Sequence, residues 1–192
     1  MDQDINKKNS ETEDAVKAEK SSFIVNCYEW MEALIPALII IVTIFVVMFR
    51  IITVNGDSML PNLKNGYKVL LSCIDRNFSS GDIVVIDKQG IKLNQVIIKR
   101  VIATEGQIVD INSSGMVSVN GVEIDESDYI ENGITKSDGY DLEFPQTVPD
   151  GHVFVLGDNR KISDDSRSSD VGMVDERYII GKFQFVLMPI EK

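Results

Sequence analysis

Ser58 lies in Gly56-Asp57-Ser58-Met59-Leu60-Pro61, a turn opened by glycine and closed by proline. A serine hydroxyl becomes a useful nucleophile only when a neighbouring base takes its proton. The usual base has one candidate, because the chain contains a single histidine, His152. It follows Asp150-Gly151 with no orienting-carboxylate motif beside it, and reads as an ordinary polar residue at a strand entry. A lysine can replace histidine only when neutral, and an unperturbed lysine of pKa about 10.4 is neutral at pH 7 in roughly one molecule in a few thousand. Burial among apolar groups moves that balance toward the free amine. The stretch Gln95–Ile102, QVIIKRVI, offers such a setting. With a period of two, Lys99 shares a strand face with Ile97 and Val101, and Arg100 points the other way with Ile98 and Ile102. Arg100 is no base, since guanidinium stays protonated. Lys99 is the base candidate; its bland alternative is a lysine on a sheet surface.

The elements that must hold these two side chains read as strands. Residues 68–71, 82–86, 95–102 and 152–156 are rich in β-branched side chains. Asn120-Gly121, set between Ser-Val and Val-Glu, signals a two-residue hairpin. No window beyond residue 51 sustains a period of 3.6 residues, so this part is expected to form an all-β catalytic domain large enough for its own core.

An apolar stretch precedes it. Ala33–Phe49 holds 17 residues without a charge, and Ile51–Val54 continue the apolar character after Arg50. As a helix this stretch would cover about 25–33 Å, enough for a bilayer core of about 30 Å. Tyr28 and Trp30 stand where interfacial aromatics belong. Arg50 to Gly56 offers no small-x-small cleavage site, so the segment is expected to stay as a single transmembrane anchor. Residues 1–22 are charged and nearly free of large apolar groups, which predicts a disordered tail. The expected organisation is thus a tail over 1–22, an interfacial segment and transmembrane helix over 23–54, and a β domain over 55–192. Nine residues separate Phe49 from Ser58, at most about 30 Å of extended chain, so Ser58 is expected near the bilayer surface. Met59 and Leu60 are open to lipid contact or to core packing.

Composition removes several function classes. The net charge is −11, and neither the first 32 residues nor residues 51–192 carry a basic excess, so nucleic acid is not an expected partner. The two cysteines, Cys27 and Cys73, flank the apolar stretch and would lie on opposite sides of a bilayer. No Cys/His cluster has zinc-ligand spacing, so neither a metal nor another cofactor is expected.

Three motifs, Gly56–Pro61, Lys99–Gly106 (KRVIATEG) and Gly157–Arg167 (GDNRKISDDSR), stand in this order behind the apolar stretch. Together they resemble the serine, lysine and Gly-Asp-Asn-Arg boxes of the bacterial type I signal peptidases. The resemblance covers residues 30 to about 190 and implies a signal-peptidase-like β domain with partly barrel-like sheets. It implies removal of N-terminal signal peptides from exported preproteins after a small-x-small motif at the membrane surface. Ser58 would be the nucleophile and Lys99 the general base. Ser163 would hydrogen-bond and orient the Lys99 ammonium, and the Ser58 N–H would serve the oxyanion hole. Asp158, Arg160, Asp165 and Arg167 would form structural ion pairs that support the dyad. Preprotein signal peptides, the lipid bilayer and the secretion translocon are the implied partners. Lys/Arg bias does not decide topology; the resemblance implies a cytoplasmic N-terminus and an extracytoplasmic β domain. The chain departs from the family pattern at Gly56, where some relatives carry a second oxyanion donor, at Asn62 and at Ile162. Residues 168–171 also form a longer loop than in some relatives.

Two rivals fare worse on the same residues. A self-cleaving repressor of Ser-Lys type needs no membrane span and lacks the third box. A silent membrane-tethered β module would be expected to lose Ser58, Lys99 or Ser163, and all three are present.

Overall fold

The computed structural model describes Tyr28 and residues 30–130, 134–135 and 139–188. The charged segment 1–22 lies outside the described residues. The chain divides into two units, residues 1–46 and 47–192.

The apolar stretch forms a helix, α1, Trp30–Met48, which is 19 residues long and unburied. Its length and composition suffice to cross a membrane. Thr43, its mid-helix polar residue, donates its hydroxyl to the Ile39 carbonyl at 2.7 Å. The helix ends at Met48, so Ile51–Val54 belong to no helix.

The second unit is mostly β, with strands β1 (Phe49–Thr53), β2 (Lys68–Ser72), β3 (Ile83–Ile86), β4 (Ile97–Thr104), β5 (Ile108–Ile111), β6 (Val117–Val119), β7 (Val122–Glu123), β8 (Gln146–Thr147), β9 (His152–Leu156), β10 (Val174–Asp175) and β11 (Ile179–Met188). A curled seven-stranded sheet runs β1-β2-β11-β3-β4-β9-β10, and a four-stranded sheet runs β7-β6-β5-β8. Every pairing is antiparallel. The Asn120-Gly121 turn joins β6 to β7 with φ of 53° and 77°, the left-handed pair that a type I′ hairpin requires.

Three apolar clusters hold these sheets. Val84, Ile97, Val101, Val153 and Val155 belong to one, and Val109, Val117, Phe154 and Leu156 belong to a second that joins the two sheets. The third collects Val54, Met59, Leu63, Val69, Leu71, Val85 and Ile98. Met59 is only 1% exposed, so the residue after Ser58 packs into the core. Burying such a side chain contributes about 1.5–3 kcal/mol, which ties the serine loop to the sheet. The loop closes on itself as well: Val54 N–H donates to Tyr67 O at 2.8 Å, and Leu63 N–H to Met59 O at 2.9 Å.

Candidate active site

Lys99 is the third residue of β4 and is 2% exposed. Its cross-strand partner on β3 is the fully buried Val84. The alternation of β4 places Lys99 on the Ile97 and Val101 face and frees Arg100 for a different contact. Lys99 Nζ lies 2.9 Å from Ser58 Oγ, donating when charged and accepting once neutral. Burial lowers the Lys99 pKa from the usual lysine range to about 8; the carboxylates of Asp165, Asp164 and Asp158 oppose the shift, and Arg167 adds to it. At that value about one molecule in ten carries the free amine at pH 7, against one in a few thousand for a solvated lysine.

The two groups open onto a groove of about 490 Å³, walled by residues 52–59 on one side and 95–99 on the other, with Ile162 and Asp164 at its edge. β9 pairs with β4 only from Arg100 onward, so the edge of Ile97–Lys99 away from β3 has no strand partner among the described residues. The Ser58 N–H donates to no acceptor among the described residues.

The loop after β9 closes the site from below. Asn159 N–H donates to Ser58 O at 2.9 Å, and Asn159 Nδ2 to Asp57 O at 3.2 Å. This approach is so close that a Cβ on Gly157 would stand 2.7 Å from Ser58 O and fall on the Ser163 side chain, so position 157 admits only glycine. Gly157 N–H in turn donates to Asp165 Oδ2 at 3.1 Å.

The charged residues of this loop are buried and paired. Arg167 and Asp165, both fully buried, bond through Nε–Oδ1 at 2.8 Å and Nη2–Oδ2 at 2.9 Å. Arg167 also donates to Arg160 O at 2.8 Å and stacks 4.0 Å from the Tyr140 ring. Asp158 and Arg160 find partners outside the box. Asp158 takes a bidentate bond from Arg100, at 2.7 Å to each oxygen, and Arg160 makes one with Glu126 at 2.6 and 2.8 Å. Arg160 also bonds Thr135 Oγ1. Asn62 joins Asp158 Oδ2 at 2.8 Å. Sequence reasoning missed Arg100, Glu126 and Asn62 as partners here. An acid able to meet a buried arginine was the one available signal, and Glu126 stands in a run of acids that gives no reason to single it out.

Ser163 lies beside this pair but makes no bond to Lys99. Its Oγ is fully buried and has no hydrogen-bond partner among the described residues, while its carbonyl accepts from Tyr140 OH at 2.9 Å. His152 is elsewhere: it opens β9, and its Nδ1 lies 2.8 Å from Asp150 O. No group of three or more His, Cys, Asp and Glu suited to a metal ion occurs among the described residues.

The family described as "Signal peptidase, peptidase S26" matches residues 27–188. The chain is 32% identical over 185 residues to signal peptidase I S of Bacillus subtilis (strain 168), covering 92% of this chain and 97% of the relative. It is 31% identical over 173 residues to a signal peptidase I of Bacillus licheniformis, covering 86% and 90%. A crystal structure of a signal peptidase I from Enterococcus faecalis V583 aligns with 56% of this chain and 97% of its own, at 27% identity and a TM-score of 0.44.

Proposed function

This chain belongs to the signal peptidase family, peptidase S26, and we propose that it removes signal peptides from exported preproteins with Ser58 as nucleophile and Lys99 as general base. The observation that carries the reading is the 2.9 Å separation of Ser58 Oγ from an amine that is 2% exposed. Buried, Lys99 holds its free electron pair in an appreciable fraction of molecules, and at hydrogen-bond distance it can take the hydroxyl proton as Oγ attacks the scissile carbonyl. The resulting oxyanion would meet the unspent Ser58 N–H, and one such donor is worth about 3–4 kcal/mol to the transition state. The Lys99 ammonium then protonates the departing amine. Attack of water on the acyl-enzyme, with Lys99 again as base, releases the signal peptide and restores both groups.

An extended substrate fits the open edge of Ile97–Lys99 by adding a strand there. In such a strand alternate side chains face the enzyme, which matches a preference for small residues at the first and third positions before the cut. Ser163 is proposed to orient the ammonium, and its unspent hydroxyl is available for that role. The pairs of Asp158, Arg160, Asp165 and Arg167 are proposed to keep the third box rigid under the dyad. We also propose residues 51–192 as the extracytoplasmic part, α1 as the membrane anchor, and lipid and the translocon as partners.

The test is cleavage of a preprotein whose signal ends in Ala-x-Ala by detergent-solubilised full-length protein. Ser58→Ala and Lys99→Ala should each abolish the cut without unfolding the protein. Wild-type cleavage by either variant refutes the dyad.

A further inference from the structure

Glu126 and Tyr129 belong to none of the three boxes, yet the lysine box, the Gly-Asp-Asn-Arg box and the residue that follows the serine box are all tied to them. Asn62, four residues past Ser58, donates through Nδ2 to Tyr129 O at 2.8 Å and to Asp158 Oδ2 at 2.8 Å. Arg100, next to Lys99, lays its guanidinium 4.3 Å from the Tyr129 ring centroid while it grips Asp158. Arg160 reaches Glu126 with both terminal nitrogens and gives its Nε to Gly157 O at 2.9 Å. Tyr129 OH closes the circuit on Glu126 Oε1 at 3.0 Å.

We propose that Glu126 and Tyr129 are positioning residues for the peptidase reaction, a single segment after β7 that fixes the Ser58 loop against Lys99. The inference rests on the dyad reading above. Ser58 lies on a loop and Lys99 on a central strand, so their separation is set by whatever fastens the loop. Asn159 holds the Ser58 carbonyl, and the two residues flanking Asn159 end on this segment. Arg160 ends on Glu126; Asp158 reaches Tyr129 through Asn62 and Arg100. Glu126, Asp158 and Arg160 are all nearly excluded from solvent, where ion pairs and hydrogen bonds hold geometry more firmly than at the surface. Loosening one end therefore lets the nucleophile drift from the amine, and a displacement of about 1 Å at a reacting group can cost about a hundredfold in rate.

The experiment uses full-length protein in detergent, a fluorogenic Ala-x-Ala preprotein segment, and Tyr129→Ala, Tyr129→Phe and Glu126→Gln, with Ser58→Ala and Lys99→Ala alongside. Tyr129→Ala should lower kcat about tenfold to a hundredfold with KM within about twofold of wild type. Its kcat/KM-pH profile should move alkaline, because water reaching Lys99 restores the ammonium. Tyr129→Phe keeps the ring over Arg100 and should recover most of the lost rate; Glu126→Gln should fall between. If Tyr129→Ala does not fold, Asn62→Ala takes its place. The proposal is overturned if the loss lies wholly in KM, or if it tracks the unfolded fraction with the pH profile unmoved. It is also overturned if the folded variants cut like wild type. Activity in Ser58→Ala or Lys99→Ala sinks the dyad reading instead, so the two failures are distinguishable.

Discussion

Asn159 gives its main-chain N–H to the carbonyl of Ser58 at 2.9 Å, so a loop about a hundred residues downstream holds the peptide unit of the candidate nucleophile itself. The bond comes from the backbone, and the side chain adds only a longer contact to Asp57 O at 3.2 Å. The closeness is permitted by Gly157, where a Cβ would collide with Ser58 O and Ser163.

That contact separates two substitutions in one loop. Gly157→Ala must push the loop off Ser58, and cleavage should fall by about a hundredfold or more. Asn159→Ala keeps the main-chain donor and loses one bond worth about 1 kcal/mol, so kcat/KM should fall less than about tenfold. Steady-state kinetics on both, with thermal melting as a control, decide it; equal losses would mean that the backbone contact does not hold the serine.

Asp165 is a second point of leverage. Its two oxygens serve Arg167 and the Gly157 N–H, and neither the acid nor the arginine touches solvent. Asp165→Ala removes one partner of a fully buried ion pair and the acceptor of the Gly157 N–H, which should cost about 3–5 kcal/mol of stability. Denaturant titration of the β domain within the full chain reads that loss; a change below about 1 kcal/mol would mean that the Asp165 pair does not hold this loop.

Much of this is legible in the amino-acid sequence alone. The β-branched stretch at 152–156 became β9, Asn120-Gly121 became a hairpin, and the period of two in β4 set Lys99 apart from Arg100, because each signal is local. The ten-residue β11 was not singled out: Gly181 interrupts it, and bulges shift its register against both neighbours, so no clean alternation survives. Met59 was ambiguous because its burial depends on Val69, Val85 and Ile98, which no nearby sequence announces. The partners of Asp158 and Arg160 were hidden for the same reason. Arg100 and Glu126 lie 58 and 34 residues away, and only the folded sheet brings them together.

The pH dependence of cleavage follows from the base being the neutral amine. With Lys99 lowered to about 8, kcat/KM should climb through pH 7, reach half its maximum near pH 8 and level off above about pH 9. His152→Ala should retain most activity across that range, since His152 bonds to Asp150 O away from the groove. EDTA should leave the rate unchanged, because the proposed reaction uses only the Ser58 hydroxyl and the Lys99 amine. Loss of activity in a folded His152→Ala variant would transfer the base role to the histidine.

Holding Lys99 ready also carries a stability cost, and its direction is fixed by linkage. The folded protein lowers the lysine pKa to about 8 from 10.5, so between those values the unfolded chain binds the extra proton and stability rises with pH. Below pH 8 the penalty is fully present, about 3 kcal/mol at full burial. Lys99→Met, close in volume and without charge, should therefore be inactive yet more stable than wild type by about 2–3 kcal/mol at pH 7. That advantage should shrink as pH approaches 10. Chemical denaturation of both proteins at pH 7 and pH 10 reads the difference directly. A Lys99→Met variant that is less stable at pH 7, or whose advantage does not change with pH, would mean that the amine is solvated and is not held neutral by burial.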